Sequence, residues 1–293
     1  MAKKRKIKCP SEMELVEPTF SALVELGGSA TVDEIRDKVI EMMNLPDDAI
    51  DELHKGKAQQ TELEYQLAWA RTRLKNYGAI TNSKRGVWMI TPEFADRTSV
   101  ARSDVVEHIR KTRLSEKSNA EVEIILQDND PTNDGTDTPD ELEPWRVELG
   151  DILHTMNPYA FERLSMLLLR ECGFSQVRVT QKSSDGGIDG TGKLRINGIF
   201  SFNVAFQCKR YTGSVSAGDI RDFRGSLTTD IEKGVFITTG TFTRAAREEA
   251  SIAGKQQIDL IDGEEFIDKL IEFSLGVKEK TIYEVDKAFF EKV

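Results

Sequence analysis

Two short segments in the C-terminal half carry residue types from which chemistry can be built. The first is Gly186-Gly187-Ile188-Asp189-Gly190, and the second is Phe206-Gln207-Cys208-Lys209-Arg210. A carboxylate in a glycine-rich turn beside a Gln-x-Lys step on a strand gathers oxygen donors and an ammonium around one point. A hard cation such as Mg2+ takes oxygen from carboxylate, amide carbonyl, backbone and water. Held there, it would polarise a phosphodiester and lower the pKa of a bound water. The lysine would orient that water and stabilise the charge developing at phosphorus. Strand alternation sets Gln207 and Lys209 on one face, with Phe206 and Cys208 on the other. Glu162, on an upstream helix, can reach the same sheet end and bind a metal or a metal-bound water. The catalytic candidates are therefore Asp189, Gln207, Lys209 and Glu162. Asp189, Gln207 and Glu162 are the expected ligands, with Mg2+ as the expected cofactor.

Plainer readings stand beside these. Asp-Gly is a common turn signal, so Asp185 and Asp189 taken alone are turn residues. The Gln207–Lys209 step downstream is what lifts Asp189 above that reading, and Asp185 stays structural. A lysine ending a strand is ordinarily solvated. Residues 202–208, however, have the pattern of an interior strand, where an unpaired ammonium is costly. Glu162 lies on an amphipathic helix, where glutamate is usually a surface residue.

The elements that must position these groups form an α/β domain from about Trp145 onward. Phe161, Leu164, Leu168 and Cys172 follow helical spacing up to Gly173. Strands are expected at 176–181, 192–196, 202–209, 235–239 and 258–261. Helices are expected at 216–227, from the Thr243 cap to about Ala253, and at 263–274. This order predicts one central mixed sheet flanked by helices. Upstream, from Pro18 to about Arg113, a first helix stops at Gly27-Gly28. A second opens on a Thr31–Glu34 capping box, and a third covers 61–77. Two strands near 79–81 and 87–90 then form a hairpin. Three helices followed by a hairpin is the order of a winged helix-turn-helix. On it, Arg71, Arg73 and Lys75 of the third helix and Lys84 and Arg85 of the hairpin tip are the candidate DNA contacts. Ordinary solvated charge is the alternative for the first three.

At 293 residues the chain is long enough for two domains. No apolar run approaches the roughly 20 residues a membrane span requires, so no membrane partner is expected. Five basic residues among the first ten are followed by no apolar stretch, which argues against a signal peptide. Three cysteines without metal-ligand spacing suit a reducing cytoplasm. The net charge of −10 argues at first against a polyanionic partner. Between Ser115 and Asp151, however, twelve Asp/Glu face two Lys/Arg, so this stretch accounts for the whole imbalance. Local basic patches elsewhere remain free to meet phosphates. The acidic stretch is also rich in Asn, Thr and Pro and buries too little to order itself, which predicts a flexible linker. The expected organisation is a tail at 1–17, a DNA-binding domain at 18–114, the linker at 115–144 and the α/β domain at 145–293.

Taken together, Phe161-Glu162, Gly173-Phe174, Val179-Thr180, Asp185 to Gly190, Gln207-Cys208-Lys209-Arg210 and Val235 to Thr239 resemble the catalytic domain of Mrr-type restriction endonucleases. That family is a branch of the PD-(D/E)xK nucleases. The resemblance covers roughly 150–275, and the upstream helices and hairpin look like the Mrr N-terminal domain. It implies that Asp189 binds metal, that Gln207 stands where the superfamily usually has an acid, and that Lys209 is the catalytic lysine. The glutamine removes one negative charge from the metal site, which makes Glu162 more important. The resemblance further implies Mg2+-dependent, type IV-like cleavage of modified, commonly methylated, double-stranded DNA by a homodimer or larger assembly. The competing reading is a DNA-binding regulator whose nuclease-like domain does not cleave, and a third is a repair or RNA-directed nuclease.

Overall fold

The computed structural model describes residues 8–55, 60–84, 86–119, 139, 143–179, 187–197 and 199–280. Helix α1 (Glu12–Glu25) opens the chain. It begins six residues before Pro18, because Ser11 and Glu14 form a capping box in which the Ser11 N–H donates to the Glu14 carboxylate at 2.9 Å. Leu15 and Val16 are buried in the core and Cys9 joins them. Residues 9–17 therefore fold with the domain, whereas a tail was expected, and Pro18 lies inside the helix. Strand β1 (Ser29–Thr31) leads into α2 (Val32–Met43), whose Thr31–Glu34 capping box is formed as expected. The short α3 (Asp47–Ile50) precedes α4 (Glu62–Asn76), which Thr61 caps. Strands β2 (Ile80–Lys84) and β3 (Val87–Ile90) form the hairpin, and β1 pairs with β3 to give the order β1-β3-β2. A three-residue strand like β1 is too short to be read from periodicity. Phe20, Leu23, Ile35, Val39, Leu63, Leu67, Ala70, Leu74 and Trp88 fill the common core. Helix α5 (Arg102–Asn119) runs five residues into the expected linker.

The second half begins with α6 (Pro144–Thr155) and α7 (Pro158–Glu171), followed by β4 (Phe174–Val179), β5 (Gly190–Ile196) and β6 (Phe200–Lys209). After these come β7 (Ser214–Val215), α8 (Ala217–Ser226), β8 (Lys233–Thr238), β9 (Thr241–Phe242), α9 (Arg244–Ala250), β10 (Ile258–Ile261) and α10 (Gly263–Glu272). The main sheet has the order β10-β8-β6-β5-β4. It is mixed: β10, β8 and β6 run parallel, while β6, β5 and β4 run antiparallel. One face packs Phe206, Cys208, Val235 and Ile237 under α6, α7 and α10. The other packs Phe236 with α8 and α9 through Ile220, Phe223 and Ala246. Alternation along β8 thus feeds two separate cores, and β6 occupies the middle of the sheet. Arg146 ties α6 to α10 with bonds of 2.8 Å to both Glu264 and Asp268.

The halves touch where α9 meets α3. The Arg244 backbone N–H donates to Asp51 at 3.0 Å, and its guanidinium approaches Asp47 at 3.5 Å. Arg247 lies 3.9 Å from Glu64. Among the described residues no helix is long and apolar enough to cross a membrane. Asp185 and Arg85 lie outside the described residues.

Candidate active site

Asp189 stands just before β5, where two interactions pin it to β6. Its backbone N–H donates to the Phe206 carbonyl at 3.0 Å, and its Oδ2 accepts from the Cys208 N–H at 2.6 Å. The preceding turn is pressed against the same strand. Gly187 has φ +99°, and a Cβ there would stand 2.7 Å from Gln207 Nε2. Only glycine supplies both the backbone sign and the room. Gly190 is equally constrained, because a Cβ would meet the Phe206 ring at 2.4 Å and the Arg178 carbonyl at 2.5 Å. These close approaches are what bring Asp189 and Gln207 together.

Glu162 comes from the first turns of α7, which Asn157 caps. Burial and the charge of Asp189 hold its carboxyl above the ordinary range. Burial does the same to Asp189, against the opposing effect of the Cys208 bond. Among the described residues neither carboxylate forms an ion pair with Lys or Arg. Two carboxylates and an amide oxygen are hard donors of the kind that suits Mg2+. Among the described residues there is no cluster of three His, Cys, Asp or Glu, in keeping with glutamine at position 207.

Lys209 shares a strand face with Gln207, the face turned toward α8. Its ammonium meets Asp219 Oδ1 at 2.5 Å and lies 5.1 Å from the centre of the Tyr211 ring. Sequence reasoning set this lysine in an interior strand without a partner, and the structure supplies one. Asp219 is the third residue of α8, and its other oxygen accepts from Ser216 Oγ at 2.7 Å and from Ser216 N at 3.0 Å. Those bonds, together with Lys209, pull its carboxyl down to about 2 against the effect of burial. The sequence signal for Asp219 was the Ser-x-x-Asp cap, which marks a helix start and says nothing of a lysine.

The expected DNA contacts fare differently. Arg71 and Arg73 are 1% and 4% exposed. Arg71 lies over Trp88 at 5.7 Å, while Arg73 meets Glu12 at 3.3 Å and Trp69 at 5.0 Å. The two arginines serve packing, because their positions on α4 point into neighbouring elements and not outward as solvated charges would. Lys75 is exposed, and Lys84 lies in β2. Tyr65 stacks on His54 at 3.8 Å. Thr239 bonds the Tyr211 backbone, and Thr243 caps α9. Arg221 and Arg224 pair with Glu249.

The fold and site define a class: a central mixed sheet whose β5–β6 pair carries an aspartate, a glutamine and a lysine, preceded by a helical domain with its own small sheet. Residues 153–270 match the family model described as a restriction endonuclease catalytic domain, and residues 13–99 match the Mrr N-terminal domain. The chain belongs to the Mrr-type restriction endonucleases. Similar solved structures include the DNA modification-dependent restriction endonuclease AspBHI, with 19% identity and a TM-score of 0.40 over 69% of this chain and 57% of that one. MspJI in complex with a 27-mer oligonucleotide gives 19% identity and a TM-score of 0.36 over 63% and 47% of the two chains. The chain thus spans about half the length of these structures. No curated protein sequence matches it.

Proposed function

We propose that this chain is a metal-dependent restriction-type endonuclease that hydrolyses phosphodiester bonds in double-stranded DNA, with modified DNA as its target. The observation that carries the reading is the seating of Asp189 on the Gln207–Lys209 strand, through the Cys208 N–H, in a chain whose two domains match Mrr models. Asp189, Gln207 and Glu162 would hold Mg2+, which when bound polarises the phosphate and acidifies a water. The chain's own groups do the rest. The Cys208 N–H fixes the Asp189 carboxylate, and the glycine turn fixes Gln207. The Lys209 ammonium lies at the end of β6, where it orients the attacking water and offsets charge on the phosphoryl oxygens. The order of α1, α2, α4 and the hairpin, with the sheet order β1-β3-β2, supports a winged-helix reading of the first domain. Exposed Lys75 and the hairpin tip at Lys84 and Arg85 are then its DNA contacts. Two-strand cleavage with one site per chain calls for a homodimer or larger assembly on DNA.

Incubation with Mg2+ and matched methylated and unmethylated plasmids tests the reading, with Lys209→Ala as control. Cleavage of the methylated plasmid by the wild type, lost in the control, is expected. Cleavage of neither plasmid favours the DNA-binding regulator.

A further inference from the structure

Lys209 is held by more than the strand that carries it. Its ammonium is seated between a carboxylate and a ring face: Asp219 at 2.5 Å and Tyr211 at 5.1 Å from the ring centre. Both neighbours are themselves fixed. Asp219 is bonded through its second oxygen to the Ser216 N–H and hydroxyl, so its side chain has little rotamer freedom left. The Tyr211 backbone is locked to the end of β8, because its N–H donates to Thr239 Oγ1 at 3.0 Å and its carbonyl accepts from the same hydroxyl at 3.0 Å. A lysine has four rotatable bonds, and an unrestrained one at a sheet rim samples many positions for its charge. A charge-assisted bond to an anchored carboxylate removes most of that freedom.

From this geometry we infer that Asp219 is a positioning residue, which sets the Lys209 ammonium where the reaction needs it. The inference rests on the nuclease reading above. Asp219 touches neither substrate nor metal in this role; it acts through Lys209. Its place on α8 also couples the start of that helix to the end of β6, so a helix-cap aspartate doubles as an anchor for the lysine.

Full-length wild type, Asp219→Asn, Asp219→Glu and Ser216→Ala are compared for Mg2+-dependent cleavage of a methylated plasmid, with thermal melting of each. Asparagine keeps an acceptor for the Ser216 N–H but loses the charge. Its kcat is expected to fall about 10²-fold, as misplacement of a reacting group by about an ångström can cost, with KM for DNA within about twofold. Glutamate restores part of the loss. Ser216→Ala weakens the cap and lowers the melting temperature while keeping the anion, so its kcat falls far less than that of Asp219→Asn. Asp219→Asn cleaving at the wild-type rate or faster overturns the inference and leaves the nuclease reading intact. So does a Ser216→Ala loss equal to that of Asp219→Asn, which makes the role one of helix stability. A wild type that cleaves nothing overturns the nuclease reading, and this inference with it.

Discussion

Asp189 and Glu162 are both partly buried acids, and the energetic consequence depends on pH. An acid whose folded pKa lies above its unfolded value holds its proton more tightly when folded. The stability this gives is present at low pH and is lost as pH rises through the raised pKa. Both carboxyls are shifted upward, mainly by burial. Metal-free protein should therefore lose melting temperature as pH rises through the range above ordinary carboxylates. Asp189→Asn should flatten that slope and melt higher than wild type at neutral pH. Adding Mg2+ should raise the wild-type melting temperature, more so at higher pH where protons no longer compete. The same addition should do little for Asp189→Asn. Melts in chelator and in Mg2+ across mildly acidic to mildly alkaline pH check both halves. An undiminished Mg2+ shift in the variant would place the cation elsewhere.

At the scale of elements, the site depends on how closely β5 and its turn lie against β6. Gly190 pairs with Phe206 across the antiparallel ladder, with no room for a methyl group between the ring and the Arg178 carbonyl. One of the two obstacles is backbone, so relaxation is limited. Gly190→Ala should destabilise the protein by about 2 kcal/mol or more through overpacking. It should also cost activity out of proportion, since residue 189 moves with residue 190. Denaturant unfolding measures the first effect and plasmid cleavage the second. A variant as stable as wild type would mean that β5 shifts freely, and the close approach would then not be what places Asp189. The alternation of β6 matters as much. Phe206 and Cys208 enter one core, while Gln207 and Lys209 are turned toward α8.

Across the whole molecule, the two halves are joined by charge contacts at α9 and α3, and α4 is almost entirely covered. Ala68, Arg71, Thr72 and Arg73 are all buried, and Lys75 alone among its charged residues is exposed. Arg244 is central to the contact, through its N–H to Asp51 and its side chain toward Asp47. The side-chain pair is exposed, so it contributes no more than about 1 kcal/mol. Arg244→Glu turns attraction into repulsion against two aspartates. Faster amide exchange in α3 and at the start of α4 is the expected result, with no change in α7 or β6. Unaltered exchange throughout would show that Arg244 does not hold the halves together.

The sequence by itself determined the local chemistry: the glycine turn, the Gln-x-Lys step with its alternating faces, the capping box at Thr31, and most strands and helices to within two or three residues. These are legible because period and cap are set by neighbours along the chain. The early start of α1 was written in Ser11 and Glu14, but Pro18 obscured it. Only the tertiary structure decided that Arg71 and Arg73 are buried and that Lys209 is held by Asp219. Each of those facts joins residues from different elements, and the spacing of residues along one element does not specify what the fold will set against it.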